Sequence, residues 1–178
     1  MKRAIVDVDG ILWNLYYPLT ELLQKLYPET IGTDMSNWNW FLEYMTKEQF
    51  YAAVDIVHMT QINYPAFSGA TELFNVLNQK EYEICVASHR AENTAHLLSK
   101  WLEINELKPY SMVYTGHNKK EFVERGCLVI DDSPITIDFA LSKDCDVHYL
   151  AWPWNQDKRG NSWSDLYQLL GAINDGRN

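Results

Sequence analysis

Arg3-Ala4-Ile5-Val6-Asp7-Val8-Asp9-Gly10 reads as a buried strand that ends in two carboxylates one residue apart. Side chains alternate along a strand. Once the strand ends, Asp7 and Asp9 can therefore point the same way while Val8 turns into the core. Gly10 permits a sharp bend immediately afterwards. Two carboxylates gathered at one strand end are costly unless a cation or a reaction uses them. The plainer alternative is a solvated acidic turn.

Three later stretches repeat the pattern of an apolar run capped by a polar group. Tyr82-Glu83-Ile84-Cys85-Val86-Ala87 ends in Ser88, Met112-Val113-Tyr114 is followed by Lys119 and Lys120, and Cys127-Leu128-Val129-Ile130 ends in Asp131-Asp132-Ser133-Pro134. Each polar group thus falls just past the C-terminal end of a strand, where open α/β sheets hold their ligands. Parallel strands are expected at about 3–9, 82–88, 111–115, 127–131 and 146–151, because near-continuous apolar runs suit a sheet covered on both faces. Helical spacing links them: Ala70, Leu73, Phe74 and Leu77 in 69–80, and Leu97, Leu98, Trp101 and Leu102 in 93–103. Ser133-Pro134 reads as an N-cap and first-turn proline, and Ser162 to Asp165 as a capping-box-like start for a last helix.

Residues 14–67 interrupt the alternation. A helix is expected over 20–27, with Leu19, Leu22, Leu23 and Leu26 on one face, and Thr46-Lys47-Glu48-Gln49 is a capping box opening another that turns Phe50, Val54 and Val57 inward. No strand pattern precedes Pro65. The expected fold class is α/β, a Rossmann-like three-layer core with a central parallel sheet, formed by 1–13 and 68–178, with 14–67 inserted as a small helical cap.

The chain has 178 residues, is 47% hydrophobic and carries a formal charge of −9. No basic cluster exceeds Lys119-Lys120 or Lys158-Arg159, which disfavours a long nucleic acid as partner. No apolar run approaches the ~20 residues of a membrane span. Cys85, Cys127 and Cys145 lack metal-ligand spacing and read as buried free thiols of a reducing cytoplasm. Half of the 24 aromatic residues fall in 13–67, densest at Trp38-Asn39-Trp40-Phe41 with Tyr44. They serve either as the core of a small helical bundle or as a platform for a planar base, a stacking interaction of about 1–3 kcal/mol per base.

An aspartate pair, a hydroxyl, a lysine and a second aspartate pair, in that order, resemble the four motifs of the haloacid dehalogenase (HAD) superfamily. Within it the chain resembles the 5′(3′)-deoxyribonucleotidases. The stretches that carry this are Asp7-Val8-Asp9-Gly10-Ile11-Leu12, Tyr64-Pro65-Ala66-Phe67-Ser68-Gly69-Ala70, His117-Asn118-Lys119 and Gly126-Cys127-Leu128-Val129-Ile130-Asp131-Asp132. Trp152-Pro153-Trp154-Asn155 resembles an aromatic-Pro-aromatic-Asn turn of some relatives. Three features depart from the family pattern: Ser88-His89-Arg90 stands where a threonine followed by small residues is common, His117 stands where an arginine is common, and two residues are inserted between the lysine and the fourth strand.

The resemblance implies a phosphoaspartyl phosphomonoesterase. Asp7 is the implied nucleophile. Asp9 is the implied acid and base, with a pKa raised by its carboxylate neighbours. Ser88, Lys119, Lys120 and His89 are the implied phosphate ligands, with Lys119 and Lys120 as alternatives for the motif lysine. Mg²⁺ is the expected cofactor, because the candidate ligands are hard oxygens: Asp7, the Asp9 carbonyl, and Asp131 or Asp132. Trp38, Trp40, Phe41, Tyr44, Arg90 and His117 are the candidate substrate contacts. The expected substrate is a nucleoside monophosphate, with a sugar phosphate or another small phosphomonoester as the alternative. A homodimer is compatible with this reading, and His58, His96 and His148 are expected to be structural. A receiver-like phospho-acceptor regulator is the reading from another class, opposed by the helical insertion and by the spacing of the first acidic pair.

Overall fold

The computed structural model describes residues 2–114 and 119–175. Six strands form one parallel sheet: β1 (Lys2–Val6), β2 (Tyr82–Ser88), β3 (Ser111–Tyr114), β4 (Leu128–Ile130), β5 (Asp146–Leu150) and β6 (Asn161–Trp163), in the order β3-β2-β1-β4-β5-β6. The helices are α1 (Tyr16–Leu26), α2 (Lys47–Thr60), α3 (Ala70–Gln79), α4 (Ala95–Ile104), α5 (Pro134–Ser142) and α6 (Leu166–Asp175). The α/β class expected from the apolar runs is the one observed. None of the described helices is long and apolar enough to cross a membrane.

Alternation along the strands divides the interior in two. Ala4, Val6, Ile84, Val86, Leu128 and Ile130 belong to the larger cluster, with Leu73 and Leu77 of α3, Leu98 and Trp101 of α4, and Leu169 and Ile173 of α6. Ile5, Ala87, Val129, Val147 and Tyr149 belong to the smaller one, with Ile137 and Ala140 of α5. Strands buried on both faces have no need of polar positions, which is why their sequence reads as unbroken apolar runs.

The order of strands decides where a site can form. From β1 the chain builds outward through β2 and β3, then returns to the other side of β1 with β4. The crevice of such a sheet opens at that reversal, beyond the carboxyl ends of the two strands that flank it. Val6 pairs with Ile130 at the last rung, and the Asp7 amide donates to the Ile130 carbonyl at 2.8 Å. Asp7 and Asp131 therefore leave the sheet side by side.

Several local expectations need correction. β6 was not expected: its three residues form a polar edge strand, and Trp163 Nε1 donates to His148 Nδ1 at 3.0 Å. The last helix consequently starts later, with Asp165 Oδ1 accepting from the Gln168 amide. Helix α1 begins at Tyr16, four residues early, and leaves Leu26 53% exposed because the next turn bends away. The Ser133 hydroxyl makes no capping bond; its amide donates to Asp131 Oδ1 at 2.9 Å. The Thr46–Gln49 capping box forms as expected, and all three cysteines are buried and free. The described elements of 14–67 are helical: α1, α2 and three 3₁₀ turns.

Candidate active site

Strand geometry delivers four charged groups to the crevice. Lys119, at the start of a 3₁₀ turn after β3, brings its Nζ to 2.6 Å from Asp7 Oδ2 and 3.3 Å from Asp131 Oδ2. One carboxylate oxygen each from Asp7, Asp131 and Asp132 lies within 4.8 Å of the others. All three aspartates are buried, and Tyr16 donates its hydroxyl to Asp132 Oδ2 at 2.8 Å. Gly10 makes this approach feasible. Its φ of +76° suits glycine, and a Cβ there would collide with the Asp132 carboxylate.

Three buried carboxylates facing one lysine leave a deficit of positive charge. Burial, followed by repulsion from Asp131 and Asp9, pushes the Asp7 carboxyl up to about 7 even though Lys119 pulls it down. Burial and repulsion from Asp7 and Asp131 push Asp132 well above the usual carboxylate range. For Lys119, burial works against the charged form, but Asp131 and Asp7 outweigh it and hold the ammonium charged. A cluster of hard oxygens that cannot all ionise unaided matches the donor set of a divalent cation such as Mg²⁺.

Asp9 stands apart from this trio, and its pKa moves opposite to expectation. Trp13 Nε1 donates to Asp9 Oδ1 at 2.8 Å, Arg90 lies 3.5 Å from the same oxygen, and His58 Nε2 lies 3.1 Å from Oδ2. Burial alone would raise the carboxyl, yet the charges of His58 and Arg90 and the hydrogen bonds from His58 and Trp13 hold it well below the usual range. The expectation of a pKa raised by neighbouring carboxylates is therefore reversed, because His58 of α2 and the Arg90 guanidinium just past β2 come within reach of the carboxylate. His58, expected to be purely structural, is one of those partners.

Arg90 is buried rather than open to a ligand. Its Nε donates to Ser88 Oγ and its NH1 to Gln61 Oε1, both at 2.8 Å. Ser88 is likewise fully buried. Among the described residues, His58 Nδ1 and Gln61 Nε2 are buried without a hydrogen-bond partner, as is Trp154 Nε1.

Above these groups lies a cavity of about 290 Å³ whose wall includes Asp7, Asp9, Lys119 and Asp132. Trp38, Trp40 and Phe41 line it, joined by Tyr16, Phe50, Tyr51 and Trp154, which the sequence reading had not assigned. His89 also lines it, stacked on Tyr51 at 5.5 Å. Tyr44 does not belong to the wall and packs against Trp40 instead. His117 and the Lys120 side chain lie outside the described residues. Tyr16 carried no recognisable motif. His58 and Gln61 did offer a signal: polar residues at helical spacing from Val54 and Val57, on α2 and the 3₁₀ turn that follows it, are forced to find buried partners.

Comparison with known proteins bears on the fold. No family model matches the chain, and no curated protein matches it. Solved structures do. A β-phosphoglucomutase from Clostridium difficile aligns with a TM-score of 0.66 at 15% identity, covering 99% of this chain and 98% of its own. A protein described as a phosphoglycolate phosphatase from Lactobacillus delbrueckii subsp. bulgaricus gives 0.66 at 17% identity over 97% and 98%. A HAD hydrolase from Bacillus subtilis, solved with magnesium, gives 0.63 at 15% over 97% and 98%. The structural neighbours are thus HAD-superfamily enzymes, and the sheet and its helices are of their kind. The finer resemblance to 5′-nucleotidases gains no support from them.

Proposed function

We propose that this chain is a Mg²⁺-dependent phosphomonoester hydrolase of the HAD type, acting through Asp7 on small phosphomonoesters such as sugar phosphates. The observation that carries the proposal is the buried Asp7–Asp131–Asp132 trio joined to Lys119 at the reversal of the sheet. The names borne by the structural neighbours, a phosphoglucomutase and a phosphoglycolate phosphatase, favour small substrates. In this reading residues 14–67 form a cap over the core of 1–13 and 68–178. Three buried free thiols fit a reducing cytoplasm.

Asp7, the carbonyl of Asp9, and Asp131 or Asp132 would hold the cation. When bound, it neutralises phosphate charge and so lets an anionic nucleophile approach. The Asp7 carboxylate attacks phosphorus, the bond to the leaving oxygen breaks, and a phosphoaspartate forms. Lys119 balances the charge that passes between Asp7 and the phosphate. Because its partners hold Asp9 ionised, it would take up a proton only once the anionic phosphate is bound beside it. It would pass that proton to the leaving oxygen and then take one from the water that cleaves the phosphoaspartate. His58, hydrogen-bonded to Asp9 at 3.1 Å, holds that carboxylate in place. His89, on the cavity wall, is the phosphate contact of this set. Ser88 acts through Arg90 unless its hydroxyl turns toward the phosphate.

A second reading has one observation in its favour. Seven aromatic rings line the cavity among the described residues, and they suit the planar base of a nucleoside leaving group better than a polyhydroxylated sugar. Phosphate release from a panel of sugar phosphates, phosphoglycolate and deoxynucleoside monophosphates, with and without Mg²⁺, tests both. Preference for the first two classes supports the main reading, and preference for the last supports the second. No Mg²⁺-dependent release from any of them would refute both.

A further inference from the structure

We propose that Asn155 and Trp152 are positioning residues for the metal-binding carboxylates, a role that rests on the phosphohydrolase reading. The turn at 152–155 follows β5 and ties three strand ends together. Asn155 is fully buried, and its Nδ2 donates to the Asp132 carbonyl and to the Leu150 carbonyl, each at 3.0 Å. Its Oδ1 accepts from the Trp152 amide at 2.9 Å. Every polar atom of the side chain is thereby used. From the same turn, Trp152 Nε1 reaches across the sheet end to the Gly10 carbonyl at 2.9 Å.

Asp132 needs such support. The sheet ladder ends at Ile130, and Asp131 is still tied through its amide to the His148 carbonyl at 3.2 Å. Asp132 lies one residue further on. Among the described hydrogen bonds it is gripped at two points, its carbonyl by Asn155 and its carboxylate by Tyr16. Both grips trace back to the turn, since the Tyr16 ring packs on Trp154 at 4.2 Å and on Trp152 at 5.2 Å. On the other side, Trp152 fixes the carbonyl of Gly10, whose missing side chain is what lets Asp132 approach. The turn therefore sets the spacing between the segment after β1 and the segment after β4, the two that carry the carboxylate trio. Partners of this kind, one shell out from a metal, act by orienting the ligands, and losing one weakens metal affinity by about 10- to 100-fold.

The test is Mn²⁺ binding to the substrate-free, full-length protein, followed by calorimetry and by the paramagnetic signal of the free ion. Trp152→Phe keeps an aromatic ring beside Tyr16 and Trp154 and removes the N–H that bonds Gly10. Asn155→Ser keeps a polar group too short to reach both carbonyls. Each is expected to raise the Mn²⁺ dissociation constant by about 10- to 100-fold. The Mg²⁺ concentration for half-maximal turnover should rise in step, while KM for the phosphoester at saturating Mg²⁺ stays unchanged. If Asn155→Ser does not fold, Trp152→Phe alone decides. Unchanged Mn²⁺ affinity in the folded variants, with only a lower melting temperature, overturns the proposal and leaves the hydrolase reading intact. A wild-type protein that binds no Mn²⁺ and releases no phosphate overturns both.

Discussion

Without a divalent cation, the stability of this protein should fall as pH rises toward and through neutrality. Asp7 has an ordinary value of 3.8 and is pushed to about 7 by burial and by the other carboxylates, against the pull of Lys119. A carboxyl whose folded pKa is raised favours the fold in its protonated form. Its contribution is complete below about 4 and is lost as pH climbs through about 7. A shift of that size, at about 1.4 kcal/mol per unit, corresponds to roughly 4 kcal/mol. Asp132 moves in the same direction and acts in the same sense. Asp9 is depressed, so its contribution is lost only on acidification below about 4, outside this window. For a chain of this size each kcal/mol is worth about 2–4 °C, so the melting temperature in EDTA should fall by roughly 8–16 °C between pH 4 and pH 8. Mg²⁺ should flatten the curve, because it favours the ionised trio. Asp7→Asn, which has nothing to titrate at that position, should lose most of the slope. Thermal melts of both proteins, with EDTA and with Mg²⁺, supply the comparison. A wild-type slope in EDTA equal to that of Asp7→Asn would refute the charge deficit on which the metal assignment stands.

Other outcomes follow from the same contacts. Gly10→Ala places a Cβ against the Asp132 carboxylate at a φ of +76°, a backbone cost of about 1–2 kcal/mol. It should lower Mn²⁺ affinity by calorimetry and the melting temperature by roughly 2–8 °C. Arg90→Met removes a buried cation from Asp9, Ser88 and Gln61 and should cost about 3–5 kcal/mol in urea unfolding at pH 7. Trp38→Ala should cost a base-bearing substrate about 1–3 kcal/mol in kcat/KM while leaving p-nitrophenyl phosphate unaffected, if rings of the wall hold a base. Equal losses on the two substrates would assign Trp38 to packing.

The sheet was legible because its strands are buried on both faces and spell themselves as apolar runs. The acidic and basic groups at their ends could be read for the same reason, since strand ends are marked by the first polar residue. β6 escaped because a polar, three-residue edge strand has no such contrast. The surroundings of Asp9 were illegible for a different reason. His58 and Arg90 are 49 and 81 residues away, and only the packing of α2 against the end of β2 brings them in. Strand ends announce which carboxylates gather; what neutralises each one depends on long-range contacts. Tyr16 and the 152–155 turn illustrate this twice over, because both reach Asp132 across more than 20 residues.

Acid-quenched single turnover would identify the nucleophile, proposed to be Asp7. With a phosphomonoester carrying labelled phosphate and Mg²⁺ present, the label should be found transiently on the peptide containing Asp7, as an acyl phosphate cleaved by hydroxylamine. It should be absent from Asp7→Asn, which should also lose nearly all turnover. Label on another peptide, or Mg²⁺-dependent turnover retained by Asp7→Asn, would contradict the account.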